Sequence, residues 1–110
     1  MAVTYKVLGQ VAPNANTVSN VYTVPAATQA VISTIMIVNR NSGANATYRI
    51  AVQPGGAALA NQHYIAYDSP ITSLDSVALS LGLSLGNTDV VSVYSANANL
   101  SFSVFGTEIT

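Results

Sequence analysis

Residues 77–85, VALSLGLSL, place a large aliphatic side chain at every odd position (Val77, Leu79, Leu81, Leu83, Leu85) and a small residue at every even one (Ala78, Ser80, Gly82, Ser84). A period of two gathers those aliphatics on one face of an extended strand, whereas a helix would scatter them around its axis. Most of the other segments must cover that face. Turn residues Gly86-Asn87-Thr88-Asp89 follow, and then the β-branched stretch 90–95. The pair predicts a β-hairpin with a loop of about four or five residues. Pairing Leu85 with Val90 would set Tyr94 on the leucine face and Val91 and Val93 on the other, and pairing Leu85 with Val91 would exchange the faces. Either register leaves an apolar pair on the second face, as in a strand held between two layers or in a subunit contact.

Upstream, residues 3–8 alternate weakly, with Val3, Tyr5 and Val7 on one side and Thr4, Lys6 and Leu8 on the other. They read as an edge strand, with Lys6 as a guard against stray pairing. Residues 9–20 read as a loop, and 21–24 as a short strand stopped by Pro25, which has no N–H for a ladder. Residues 30–40 carry Ile32, Ile35, Met36, Ile37 and Val38 on both parities, which predicts a central strand packed on two sides. A turn at 41–45 leads into 46–53, where Tyr48, Ile50 and Val52 face inward and Thr47, Arg49 and Ala51 outward, so this pair reads as a second hairpin.

Pro54-Gly55-Gly56 opens a flexible connection to Asn61, and the glycines disfavour a helical turn at 57–60. Residues 62–68 predict a strand with His63, Ile65 and Tyr67 on one face, ended by Ser69-Pro70. In the last strand Leu100, Phe102 and Val104 alternate with Ser101, Ser103 and Phe105 before Gly106. About eight strands at roughly ten-residue spacing, with no convincing helix, predict an all-β fold. The expected architecture is an antiparallel β-sandwich or jelly-roll-like barrel in one domain over residues 1–110. Gly82, in mid-strand, marks a bulge or a close approach of another group.

Composition narrows the function. Half of the 110 residues are hydrophobic but only 6% are charged, against about 25% in an ordinary soluble domain. Alanine, serine, threonine and asparagine stand where charge usually would, and a net charge of −1 gives little colloidal repulsion, so self-association is expected. Lys6, Arg40 and Arg49 are the fixed positive charges; with so few, nucleic acid is not an expected partner. There is no cysteine for a disulfide framework or thiolate metal site. The opening MAVTYKVLGQ has no basic region before an apolar core and so does not read as a signal peptide. The longest apolar run, Ile35-Met36-Ile37-Val38, is too short to span a bilayer, and no membrane partner is expected.

The residues that could carry chemistry are few. His63 is the one histidine, and between aromatics it reads as a hydrogen-bonded structural residue before it reads as a general base. No serine sits in G-x-S-x-G, and no acidic residue is placed to orient His63. Asp68, Asp75 and Asp89 could meet at one end of a sandwich and hold calcium with loop carbonyls, but they form no D-x-D-type loop and read first as solvated turn residues. Gly55-Gly56 begins no nucleotide-binding motif. Asn45-Ala46-Thr47 and Asn99-Leu100-Ser101 match the glycosylation acceptor by chance. The tyrosines (Tyr5, Tyr22, Tyr48, Tyr64, Tyr67, Tyr94) read as core residues with the hydroxyl at the core's edge, ahead of a sugar-stacking platform. The expectation is a non-enzymatic protein without catalytic, cofactor-binding or metal-binding residues.

The segments Tyr5-Lys6-Val7-Leu8-Gly9-Gln10, Val21-Tyr22-Thr23-Val24-Pro25, Tyr48-Arg49-Ile50-Ala51-Val52 and residues 60–68 (ANQHYIAYD), with Asn99-Leu100-Ser101-Phe102, resemble small virion structural proteins of tailed bacteriophages, notably phages of cyanobacteria and other aquatic bacteria. The resemblance spans nearly the whole chain in order. It implies an assembled, non-enzymatic virion component, foremost a capsid decoration or cement protein and otherwise a part of the neck, tail or fibre. It also implies a homo-oligomer, such as a trimer, bound to the major capsid protein or another virion protein, on particles assembled in the cytoplasm of the bacterial host. The loop 9–20 and the segment 54–61, the least patterned connections, are the expected partner contacts. The alternative is a receptor- or carbohydrate-binding module on a tail fibre, which an exposed tyrosine cluster or a bound calcium would favour.

Overall fold

Each stretch that alternates in the sequence is a strand in the computed structural model, which describes residues 2–110. The strands are β1 (Val3–Val11), β2 (Ser19–Thr23), β3 (Gln29–Asn39), β4 (Ala46–Gln53), β5 (Tyr64–Ile71), β6 (Ser76–Leu85), β7 (Val90–Tyr94) and β8 (Leu100–Ile109). They form two four-stranded sheets, the first in the order β1-β8-β3-β6 and the second in the order β2-β7-β4-β5. Every neighbouring pair is antiparallel. Only β4 and β5 are consecutive strands of one sheet; every other connection crosses the sandwich. This is the strand order of a double-sheet jelly roll.

Neither expected hairpin forms. β6 and β7 lie in different sheets, and so do β3 and β4. The turn residues after Leu85 are present, but they build a corner between layers. Asp89 accepts from the Gly86 and Gly55 backbone N–H groups, each at 2.8 Å. Val24 donates to the Asp89 carbonyl at 2.9 Å and accepts from Thr88 at 3.0 Å. Those bonds tie the corner to the end of β2 and leave β6 to pair with β3. Val91 and Val93 accordingly face the core from the opposite sheet.

The corner after β3 is held by Asn39, whose side chain is fully buried. Its amide donates to the carbonyls of Ala44 (3.1 Å) and Ile71 (3.3 Å), and its oxygen accepts from Asn41 N–H (3.0 Å). A buried amide is tolerated here because its polar atoms are paired. Ser95 works similarly after β7, donating to the Thr47 carbonyl at 2.7 Å.

Strand ends also differ from the sequence expectation. β1 takes in residues 9–11, β5 continues through Pro70, and β8 passes Gly106 to Ile109. Pro70 can remain in strand because β5 is an edge and its missing N–H breaks no ladder. No helical turn forms at 57–60; short 3₁₀ turns lie on either side, at Pro54–Gly56 and Asn61–His63.

The first sheet bends along one line. Between Val7 and Gly9, β1 has an extra residue against β8; between Ile32 and Thr34, so does β3; opposite Ser33, β6 inserts both Leu81 and Gly82. Gly82 takes φ +64° in that bulge, and Leu81 turns outward, 40% exposed, which breaks the odd-position pattern. Gly106 sits at the centre of the bend, where a Cβ would run into the Val31 carbonyl oxygen. The inward residues of β3 change parity across the bend, Ala30 and Ile32 on one side, Ile35 and Ile37 on the other. They pack with Ile50, Val91, Val93, Leu100, Phe102 and Val104 in a core common to both sheets.

Asn39→Ala leaves two carbonyls and one N–H of the corner without their partner and is expected to cost about 3 kcal/mol. Urea unfolding measures it, with the midpoint falling and the slope unchanged.

Candidate interaction surfaces

The tyrosines divide between core and surface. Tyr22 and Tyr48 are buried, and Tyr48 meets Phe102 edge to face. Tyr5 and Tyr67 are exposed, at 82% and 57%. The expectation that the tyrosines finish the core therefore holds for two of the six.

Tyr67 belongs to a cluster on the outer face of the second sheet. The Arg49 guanidinium lies over the Tyr67 ring at 4.1 Å and the Tyr94 ring at 4.6 Å. It also grips Asp68 with both ends of the fork, Nε to Oδ1 at 2.7 Å and Nη2 to Oδ2 at 3.2 Å. Tyr64 meets Tyr67 edge to face, and Tyr94 donates to Asn16. Arg49 and Tyr94 are directly paired across β4 and β7, while Asp68 reaches the guanidinium through a bulge in β5 at φ +49°. The hydrogen bonds from Arg49 hold the Asp68 carboxyl below its usual range. Beside this cluster, Leu59 and Val18 line a crevice with Ala51 and Ser92. The connection between β4 and β5 thus covers part of its own sheet, and Ala51 and Ser92 are only 2% exposed although they point away from the core. The Ser92 hydroxyl lies between Asn20 Oδ1 and Gln53 Oε1. A hydroxyl has one proton, so it donates to one amide oxygen and the other amide must turn its NH₂ toward it.

A second polar cluster closes one end of the sandwich. Glu108 receives the Tyr22 hydroxyl at 2.7 Å and Lys6 Nζ at 2.8 Å, which joins β8, β2 and β1. The bonds from Lys6 and then Tyr22 hold the Glu108 carboxyl below its usual range. Burial, reinforced by Glu108, pushes the Tyr22 phenol up. Lys6 is thereby paired with Glu108 while its own side chain stays 47% exposed.

The remaining candidates are dispersed. His63 lies in the 3₁₀ turn ahead of β5 and not in the strand, and its Nδ1 accepts the Ala60 N–H at 3.0 Å. That bond puts the proton of the neutral ring on Nε2 and gives the histidine a structural task. Asp68 is paired with Arg49, Asp75 accepts from Ser76 N–H, and Asp89 organises the corner after β6. The three aspartates do not meet, and among the described residues no group of three or more His, Cys, Asp or Glu side chains could hold a metal ion. An open groove of about 460 Å³ between Ala27-Thr28-Gln29, Gly86-Asn87 and Ile109-Thr110 is lined by no titratable side chain.

The outer face of the first sheet is apolar in its β1–β8–β3 part. Val3, Tyr5 and Val7 point outward opposite Ile109, Thr107 and Phe105, and Thr107 is opposite Val31. Val3 and Val7 are each 48% exposed. Nothing in the sequence marked this strand as the bare one, because its alternation is weaker than that of β6 or β8. Protein-family models give no match to this chain, and neither do curated proteins.

Glu108 and Asp68 both have carboxyls held low in the folded chain, so their contribution to stability is present above the ordinary carboxylate range and is lost as pH falls through the lowered folded values. The melting temperature is expected to decline below about pH 4.5, and Glu108→Gln should flatten that decline. Thermal unfolding followed by circular dichroism across the acid range reads both.

Proposed function

We propose that this chain is a non-enzymatic structural subunit of a tailed-bacteriophage virion, a capsid decoration or cement protein that self-associates and binds the assembled shell. The observation that carries the reading is the exposed apolar face of the first sheet, Val3, Tyr5 and Val7, on a domain with 6% charged residues. An uncharged apolar surface suits permanent burial against other subunits more than free solution. The virion assignment itself comes from the sequence resemblance, which the apolar surface supports without specifying the component. Its expected partners are further copies of itself and the major capsid protein, and its place is the particle assembled in the host cytoplasm.

Stabilisation would follow from linkage. A protein that binds the closed lattice and not its dissociated subunits lowers the free energy of the lattice by about 2.7 kcal/mol per site when present at a hundred times its dissociation constant. Many sites on one shell make that a large barrier to rupture.

A second reading, a receptor- or carbohydrate-binding module of a tail or fibre, is favoured by the Tyr64–Tyr67–Tyr94 cluster around Arg49. Tyr67 offers a partly exposed ring braced by a guanidinium, the kind of surface on which a sugar ring stacks.

Imaging of intact particles with a labelled copy separates the two. The decoration reading expects label spread over the head and particles without the protein that rupture at lower temperature. Label confined to the tail rejects that reading in favour of the binding module, and absence of label from particles rejects both.

A further inference from the structure

The fold has four edge strands, and they are not equally protected. In the second sheet, β5 carries Pro70 and the Asp68 bulge, and β2 is five residues long with a register shift between Asn20 and Tyr22. In the first sheet, β6 is split by the Leu81–Gly82 bulge, and its outward residues Ser76, Ala78, Ser80 and Ser84 are small. Prolines, bulges and short lengths are the devices that stop an edge from recruiting another strand. β1 has none of them from Val3 to Val7, where it stays in unbroken register with β8. Its one charged residue there, Lys6, is committed to Glu108.

Backbone geometry shows which groups this edge offers. Ala2 and Thr110 exchange both N–H···O bonds, each at 2.9 Å. Antiparallel pairs alternate between hydrogen-bonded and open, so Thr4 and Lys6 are bonded to β8, while Val3, Tyr5 and Val7 turn their N–H and C=O groups toward the open side. The same three residues carry the exposed apolar side chains. The groups free to pair and the side chains free to pack coincide.

We propose that the Val3–Val7 edge pairs antiparallel with the same edge of a second copy, about a twofold axis at Tyr5, making one continuous eight-stranded sheet. This goes beyond the virion reading and does not depend on it. The occupant is a second copy because the edge is complementary to itself. Centring the pair on Tyr5 sets Val3 against Val7 of the partner subunit and Tyr5 against Tyr5 of the partner subunit. All the free N–H and C=O groups of the three residues are then used in hydrogen-bonded pairs. Lys6 falls opposite Thr4 of the partner subunit, so no like charges are opposed. A charged strand from another protein would find no free counter-charge on this stretch. The contact is isologous and saturates the edge, so it gives a dimer; a threefold assembly would need another surface.

Sedimentation of the full chain across a dilution series tests the proposal. The expected result is a two-chain species at the concentrated end that dissociates on dilution. Tyr5→Pro removes an outward N–H without touching the β8 ladder, and Val7→Lys places a charge at the contact while leaving the backbone intact. Each is expected to raise the dissociation constant by roughly a hundredfold or more with an unchanged circular dichroism spectrum. Should Tyr5→Pro misfold, Val7→Lys alone decides. The chain has no cysteine, so Tyr5→Cys should form a disulfide dimer under mild oxidation and Val3→Cys should not, since only Tyr5 faces itself across the axis. A monomer at every concentration, a dimer indifferent to Val7→Lys, or equal cross-linking at both cysteine positions overturns it.

Discussion

The first sheet of the sandwich bends where glycine lets backbones meet, at Gly9 against Val21 and at Gly106 against Val31. At Gly106 the backbone of β8 meets the Val31 carbonyl of β3 with no room for a side chain. Bulges in β1, β3 and β6 fall along the same line. An extra residue in a strand reverses which parity faces inward, so β3 buries Ala30 and Ile32 before the bend and Ile35 and Ile37 after it. Without that reversal, the aliphatics on one side of the bend would point to solvent. The bend thus lets an apolar sheet keep one face on the core along its length, and it leaves Val3 to Val7 as a straight segment on one side of it.

The two sheets differ in what covers their outer faces. The second sheet is partly roofed by its own β4–β5 connection, with Leu59 set near Ala51 and Ser92, and it is decorated by the Arg49 cluster. Among the described residues the first sheet has no such roof over Val3, Tyr5 and Val7. In a chain with so little surface charge, the first sheet keeps bare apolar side chains on its outer face. Glu108, Tyr22 and Lys6 are bonded to one another across β8, β2 and β1, with the Lys6 side chain 47% exposed. Their ion pairs position strands more than they create a binding site.

The strands and core faces were legible in the sequence because period-two alternation is a local property. Tyr48, Ile50 and Val52 point inward as their spacing indicates, Gly82 marks a bulge, and β3 is central in its sheet, although only one of its faces is packed on the core and Val31, Met36 and Val38 on the other stay partly exposed. Pairing was not legible, because it is decided by contacts distant in the chain. Gly86 to Asp89 has the composition of a hairpin turn, but the partners of Asp89 are Gly55 and the end of β2, which no local pattern announces. Asn39 illustrates the same limit, since its value as a corner depends on the carbonyls of Ala44 and Ile71. The tyrosines do not behave as a group, because hydrophobicity alone does not distinguish Tyr48, over the core, from Tyr5, on a bare outer face.

If the straight half of β1 is the surface this molecule presents to its own copies, its outward amides must be shielded on association. Amide hydrogen exchange resolved to single residues, at high and low protein concentration, tests it most directly. Thr4 and Lys6 are expected to be protected at both concentrations by their bonds to β8, and Val3, Tyr5 and Val7 to gain protection only when concentrated. Uniformly fast exchange at Val3, Tyr5 and Val7 at every concentration would contradict it.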